Sequence, residues 1–370
     1  MIKVMAFPGR YVQGAGALDA AGKFISALGT KALVVWGKTT ASLISDRLTA
    51  SLAESGVAMT GFTFSGECSK NQRDLGIARA QEVGADVIVG AGGGKAIDLA
   101  KAIAITVGAR MVSLPTIASN DAPTSACTVY YTDEHVIDGY GIWARNPDMV
   151  LVDTQVIANA PVDWLVTGMG DALATWFEAE ASFKGRRVAF AGGASTMAAM
   201  SLARLCYETL ISHGIAAKMD VEQHVVTPDL EKVVEANTLL SGLGWESGGL
   251  ATAHTIGNGI TILECTHPYT HGQKVAFGLV TQLCLDGDTD PEERSDVIDF
   301  MINVGLPVTF AEIGMEKLTP EELMAAARTL TEPGNFIHNH VFPVTADDLF
   351  GAMVKADALG RAHMAALAKA

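Results

Sequence analysis

The sequence predicts a two-part chain: an α/β amino-terminal domain built on a parallel sheet, followed by an all-α carboxy-terminal domain. Three observations carry that expectation. A length of 370 residues favours about two domains. Short apolar, β-branched runs alternate with helix-like stretches up to about residue 150, the pattern of a parallel sheet covered by helices on both faces. Beyond Ala160-Pro161 such runs nearly vanish and Ala, Leu, Met and Glu dominate. The boundary is therefore placed near Pro161, giving domains 1–160 and 161–370.

Taken in chain order, Gly14-Ala15-Gly16 after Tyr11-Val12-Gln13 reads as a turn before a helix from Ala17 to Leu28. Lys31 to Trp36 reads as a buried strand stopped at Gly37. Leu43, Ile44, Leu48 and Leu52 recur at three-and-four spacing, so Ala41 to Ser55 is expected to be a helix with one apolar face. Ala85 to Gly90 is a second strand, and Lys95 to Val107 a helix on which Ile97, Ala100, Ile103 and Ala104 keep the helical period. Met111 to Pro115 and Met149 to Asp153 complete the expected strands, the first closed by its proline. In the second half, Ala172–Ala181, Ala194–Leu210 and Pro320–Leu330 are the clearest helices. No repeat and no low-complexity linker interrupts the chain, so the two halves are expected to pack closely across a cleft.

Composition narrows the function classes. With 49% hydrophobic and 18% charged residues, the chain has the makeup of a packed globular protein rather than a disordered one. A net charge of -15 argues against nucleic acid or an anionic membrane as the main partner, since both reward a basic face. A small polar substrate fits better. Five cysteines, none in a Cys-x-x-Cys pair, read as free thiols in a reducing compartment. The apolar run before Pro8 is too short for a secretory signal, and no segment reaches roughly 18 uninterrupted apolar residues. A cytoplasmic location is the expectation.

Two constellations carry chemistry. Gly92-Gly93-Gly94-Lys95 lies between a strand and a helix, where glycines admit a pyrophosphate to the backbone N–H groups and a helix start adds partial positive charge. It matches neither Gly-x-Gly-x-x-Gly nor the nucleotide-triphosphatase loop, and Ala96 supplies no hydroxyl for magnesium. Its bland alternative is a glycine turn that packs a helix on a sheet. The second constellation is Asp171, His254 and His271: one carboxylate and two imidazoles from three distant segments, leaving a fourth position open as catalytic metal sites do. His267 stands close enough to His271 to compete for a cation, and is read as solvated or secondary. His338 and His340 are read as surface or subunit contacts. A metal together with a dinucleotide points to redox chemistry on an alcohol.

Gly92-Gly93-Gly94-Lys95-Ala96-Ile97-Asp98, the run from Pro115 to Ser125, Gly168-Met169-Gly170-Asp171-Ala172-Leu173, Glu246-Ser247-Gly248-Gly249-Leu250 and the run from His271 to Gly278 together resemble the glycerol dehydrogenases of the iron-containing (group III) alcohol dehydrogenase superfamily. The likeness runs in order along nearly the whole chain. It implies a Rossmann-like dinucleotide-binding domain and a helical catalytic domain in a dehydroquinate synthase-like architecture. It further implies zinc, or iron in its place, held by Asp171, His254 and His271. It also implies NAD, with NADP as the alternative, on Gly92, Gly93, Gly94 and Lys95, with Thr116, Ser125, Cys127, Val129 and Tyr131 lining the nucleotide. Asp121 corresponds to the substrate-facing carboxylate. The resemblance implies a homo-oligomer, frequently an octamer.

The chain departs from that family at three positions. Gly37, followed by Lys38, stands where the family usually places an Asp for the ribose hydroxyls, which lessens repulsion of a 2′-phosphate. Gly257 stands where many relatives have a second histidine, and Trp245 replaces a frequent Phe near the substrate pocket. The expected reaction is reversible oxidation of a vicinal diol, glycerol or 1,2-propanediol, to the hydroxyketone. Asp121 would accept a hydrogen bond from the neighbouring hydroxyl. A lyase or cyclase of the dehydroquinate-synthase type is the enzymatic alternative; it needs several basic groups near the metal, where the sequence offers chiefly Lys274. A non-catalytic binding protein on the same scaffold is the other.

Overall fold

The computed structural model describes residues 1–132, 137–287 and 289–369. Its strands are β1 (Tyr11–Gln13), β2 (Lys31–Trp36), β3 (Ala58–Thr63), β4 (Val87–Gly92), β5 (Arg110–Pro115), β6 (Cys127–Tyr131), β7 (Ile137–Ile142) and β8 (Met149–Val152). Six of them form one sheet in the order β1-β8-β5-β4-β2-β3, every pairing parallel, while β6 and β7 form a separate antiparallel pair.

The central strands β2, β4, β5 and β8 are mostly apolar and buried because both faces of the sheet are covered there. Along β2, Ala32, Val34 and Trp36 join one core with Ile44, Leu48 and Leu52, whereas Leu33 and Val35 join a second core with Ile97, Ala100 and Ile103. Successive side chains of a strand point to opposite faces, so one run of apolar residues serves two layers. The helices Lys38–Glu54 and Gly94–Val107 supply those layers. β4 lies beside β2 rather than beyond β3, so the winding direction reverses between β2 and β4. In open α/β sheets, ligands bind outside the carboxyl ends of strands at such a reversal.

The second expected strand falls two residues later than its apolar run suggests. Gly84 closes the Lys70–Val83 helix in the left-handed region, and the Ala85 N–H bonds back to Ala80 C=O, so Ala85 and Asp86 belong to the helix stop. Elements absent from the sequence reading include β1, β3, the β6–β7 pair and the helices Lys70–Val83, Pro228–Glu235, Pro291–Val304 and Ala346–Leu367. The helix Lys70–Val83 buries only Gly76 and Ala80, and so carries almost no apolar stripe.

Two compact units are present, neither contiguous in sequence. The α/β unit comprises Ala6–Trp164 and Asp220–Gly242; the helical unit comprises Met1–Met5, Leu165–Met219 and Leu243–Ala370. The returning segment is tied into the α/β unit by side chains: Gln13 Nε2 donates to Glu231 Oε2 at 2.6 Å, Asn237 Nδ2 to Ala118 C=O at 2.9 Å, and the Tyr11 and Thr238 hydroxyls lie 2.9 Å apart. No helix among the described residues is long and apolar enough to cross a membrane.

Candidate metal centre and phosphate loop

Three helices of the helical unit carry the metal-type side chains. Asp171 lies in the middle of Val162–Lys184, His254 on Thr252–Gly259, and His271 at the first turn of His271–Leu285. The helix expected over Ala172–Ala181 is longer than that: it starts directly after Pro161, so Gly168, Gly170 and Asp171 are interior. Thr270 starts the third helix through a capping box with Gln273.

Glycine contacts bring the three helices into register. A Cβ on Gly170 would stand 2.5 Å from Gly272 C=O, and one on Gly272 would stand 1.9 Å from Thr167 C=O. The backbones of the Asp171 and His271 helices therefore touch, which no other residue at either position permits without movement. Gly278, on the His271 helix, makes the same close approach to Ala253, the neighbour of His254, at 2.3 Å. Gly257 has Val275 side-chain carbon 2.6 Å from its notional Cβ, so a histidine has no space there unless the third helix retreats.

The result is convergence on one point. His254 Nε2 and His271 Nε2 lie 3.2 and 3.4 Å from the same oxygen, Asp171 Oδ1, and ligand atoms of all three residues lie within 4.8 Å of one another. Tetrahedral ligands about 2.1 Å from a cation are about 3.4 Å apart, so the spacing fits such an ion. Asp171 Oδ1 is buried and makes no hydrogen bond, an expensive state for a carboxylate oxygen unless a cation compensates it. Asp171 is 1% exposed, whereas the His271 side chain is 45% exposed, so the triad has one open side.

Charge is strongly coupled within this group. Burial alone would raise Asp171, but the His271 and His254 rings override it and hold the carboxyl well below its usual range. Burial would lower His254, but Glu178 and Asp171 drive it well above the ordinary imidazole value. Glu178 is a member of this cluster that the sequence alone did not single out. Its Oε2 meets His254 Nδ1, and its Oε1 accepts from the N–H groups of Ala251 and His254 at 2.8 Å each. This leaves His254 Nε2 directed at Asp171, the arrangement in which a carboxylate fixes the tautomer of a metal-binding imidazole. The sequence held only a weak hint of it: Glu178 lies two helical turns after Asp171 and shares its face, a place ordinary for a carboxylate.

His267 stands outside the cluster, with Nε2 2.9 Å from Thr261 C=O. His340 corrects the surface reading. It is buried, with Nε2 2.7 Å from Thr252 Oγ1 and Nδ1 3.0 Å from Asp286 Oδ1. Trp245 is also buried and packs edge-on against Phe190 at 5.0 Å between ring centroids.

In the α/β unit, Gly92 ends β4 with φ +138°, a conformation that favours glycine, and Gly93 starts the helix Gly94–Val107 with no side chain capping it. The helix start therefore offers backbone donors to an anion. A Cβ on Gly94 would meet Asn120 Nδ2 at 2.7 Å. Thr116 is anchored beside the loop by its N–H to Gly92 C=O at 3.1 Å. Lys95 Nζ pairs with Glu67 and sits 5.2 Å from the Tyr131 ring centroid. Cys127, Val129 and Tyr131 alternate with buried Thr128 and Tyr130, so these three share the less buried face of β6; Ser125, just before it, is buried. Asp121 Oδ2 accepts from Ser241 Oγ at 2.7 Å. Gly37 has only Phe64, at 3.9 Å, near its notional Cβ.

A parallel sheet with this loop at its reversal, and a separate helical unit whose Asp171, His254 and His271 could hold a metal ion, are the features of an alcohol dehydrogenase-type oxidoreductase. Comparison with known proteins gives the family: the pattern described as "Iron-containing alcohol dehydrogenase" matches residues 8–154. The chain is 47% identical over 362 residues to the glycerol dehydrogenase of Thermotoga maritima, covering 98% of each. It is 43% identical to the glycolaldehyde reductase of Halobacterium salinarum, covering 98% of this chain and 99% of the relative. The crystal structure of glycerol dehydrogenase from Schizosaccharomyces pombe superposes with a TM-score of 0.95 at 35% identity, over 99% of this chain and 93% of that one. The chain belongs to the iron-containing alcohol dehydrogenase family, and it is a glycerol dehydrogenase-like oxidoreductase.

Proposed function

We propose that the protein oxidises a vicinal diol of the glycerol or 1,2-propanediol type to the hydroxyketone, reversibly, with NAD or NADP and a divalent cation. The observation that carries this reading is the buried, unbonded Asp171 Oδ1 facing two imidazole Nε2 atoms. Asp171, His254 and His271 hold the cation, zinc or iron, and the helical unit is the catalytic part. When bound, the cation supplies Lewis acidity toward a substrate hydroxyl, and the nicotinamide supplies the hydride acceptor. Glu178 keeps the His254 ring oriented and its Nδ1 proton engaged. Gly92, Gly93 and Gly94 leave room for a diphosphate at the helix start, Lys95 stands beside it, and Thr116, Ser125, Cys127, Val129 and Tyr131 line the nucleotide. Asp121, held by Ser241, accepts a hydrogen bond from the second hydroxyl. Glycerol and glycolaldehyde, the substrates in the relatives' names, both carry oxygens on adjacent carbons, which supports a site that reads two oxygens. We assign the protein to the cytoplasm as a homo-oligomer.

Initial rates with glycerol, 1,2-propanediol, ethylene glycol and 1-propanol, each with NAD and NADP, test the reading alongside elemental analysis. Diols are expected to exceed 1-propanol by about tenfold or more in kcat/KM. Asp171→Ala and His254→Ala are expected to lose bound metal and turnover together. Full turnover in a metal-free Asp171→Ala protein, or equal rates on 1-propanol and glycerol, overturns it.

A further inference from the structure

Between the phosphate loop and β6 lies a buried ion pair that the reaction does not use. Asp98 and Lys101 sit one turn apart on the helix Gly94–Val107, their side chains almost fully buried and their charges 3.0 Å apart. Such a pair is a poor source of stability, since apolar residues of the same volume often serve as well or better. Its geometry points elsewhere.

Among the described residues, the edge of β6 that faces the helix has no strand beside it. Ala126 C=O accepts from Trp143 N–H, and Thr128 pairs with Gly141, so the backbone groups of Ala126 and Thr128 face β7. The alternation of a strand then turns Cys127 C=O and Val129 N–H the other way. There the acceptor meets Lys101 Nζ at 2.8 Å and the donor meets Asp98 Oδ2 at 2.9 Å. Lys101 also reaches Ser125 Oγ at 3.4 Å, and Thr128 Oγ1 donates to Asp98 C=O at 3.2 Å. A cation and an anion thus stand in for the donor and acceptor of a missing strand, and they belong to the same helix whose first residues form the phosphate loop.

We propose that Asp98 and Lys101 are positioning residues for the dinucleotide: they lock β6 onto the phosphate-loop helix and so fix the distance between the diphosphate cradle and the wall of Cys127, Val129 and Tyr131. This rests on the nucleotide reading above. An apolar pair fills the same volume but removes the Asp98 acceptor from Val129 N–H and the Lys101 donor from Cys127 C=O, so β6 loses its register to the helix even where the fold survives.

The test compares Asp98→Asn, which strands the ammonium, with the double variant Asp98→Leu/Lys101→Met, which removes both charges. Thermal melting is followed by titration with NAD and with ADP-ribose, which carries the diphosphate but no nicotinamide. The double variant is expected to fold with a melting temperature moderately below the wild type, to bind ADP-ribose within about twofold, and to bind NAD about tenfold more weakly. Asp98→Asn is expected to melt lower and to show the same selective loss of NAD if it folds. Wild-type NAD affinity in the double variant, or equal loss of NAD and ADP-ribose, overturns the proposal. A wild-type protein that binds NADP in place of NAD is tested with NADP in the same way. One that binds neither NAD, NADP nor ADP-ribose overturns the nucleotide reading itself, and this proposal with it.

Discussion

Glycines do opposite work in the two units. At Gly92–Gly94 they keep side chains away, so that a helix start presents bare backbone to a ligand. At Gly170, Gly272 and Gly278 they let backbones of neighbouring helices touch, so that the side chains beside them converge. In one unit glycine opens the main chain; in the other it is a contact between backbones. Similar motifs in sequence therefore have different tolerances in structure.

The sharpest way to break this contrast is to add one methyl group on each side. Gly272→Ala places Cβ 1.9 Å from a backbone carbonyl, whereas Gly94→Ala meets the amide of Asn120, a side chain that can swing away. Gly272→Ala is expected to cost at least about 3 kcal/mol, the upper range for overpacking, and to lose metal binding. Gly94→Ala is expected to fold and bind metal normally while its NAD affinity falls. Denaturant melts with metal analysis and NAD titration separate the two, and comparable stability for both variants would remove the distinction.

Glu178→Gln asks whether the helical unit depends on oriented side chains as argued. The amide cannot both accept from two backbone N–H groups and present an acceptor to His254 Nδ1 without exposing an NH₂ to one of them. Metal affinity is expected to drop about 10- to 100-fold, measured by competition with a chelator. Nucleotide affinity, which belongs to the other unit, is expected to hold.

The pH dependence of metal uptake sharpens the comparison further. Because His254 in the metal-free protein titrates well above its ordinary value near 6.5, it carries a proton at neutral pH that the cation must displace. Metal affinity should therefore rise with pH until that raised value is passed, with proton release seen by calorimetry in buffers of different ionisation heat. The metal-free protein shows the reverse trend. The stabilisation from charged His254 is complete below the unfolded pKa and disappears as pH climbs through the folded one, so its melting temperature falls on the alkaline side. A pH-independent affinity contradicts this.

The smallest expected effect lies at Gly37. It starts the helix Lys38–Glu54 in extended conformation without a side-chain cap, and the space beside it is open. Gly37→Asp is expected to add a few tenths of a kcal/mol as a cap. It is also expected to shift selectivity from NADP toward NAD by about tenfold, through repulsion of the 2′-phosphate. Ratios of kcat/KM for the two nucleotides measure it.

The helix expected over Pro320–Leu330 is found with those bounds, and β2 with its own, because each carries its periodicity within a few residues and each is bounded by turn-forming neighbours. β3 was illegible because an edge strand reading Ala58-Met59-Thr60-Gly61-Phe62-Thr63 is half exposed and has no alternating pattern to follow. The metal-type residues were legible as residue kinds, since one carboxylate and two imidazoles that leave a fourth position open are the donor set of a catalytic metal. Glu178 was not, because a carboxylate on a helix face is ordinary until a ring from a remote segment is placed against it.

By itself the sequence determined the α/β-then-helical order of the chain, the glycine opening after β4, and the chemical nature of the three converging side chains. All of these depend on local period, turn propensity and functional-group chemistry. Only the tertiary structure decided that Asp220–Gly242 rejoins the α/β unit, that Glu178 holds His254, and that Asp98 and Lys101 replace a strand beside β6. Each of those depends on a backbone or side-chain group meeting a partner dozens of residues away, and the pairing is set by how whole helices and strands pack, which no local window of sequence encodes.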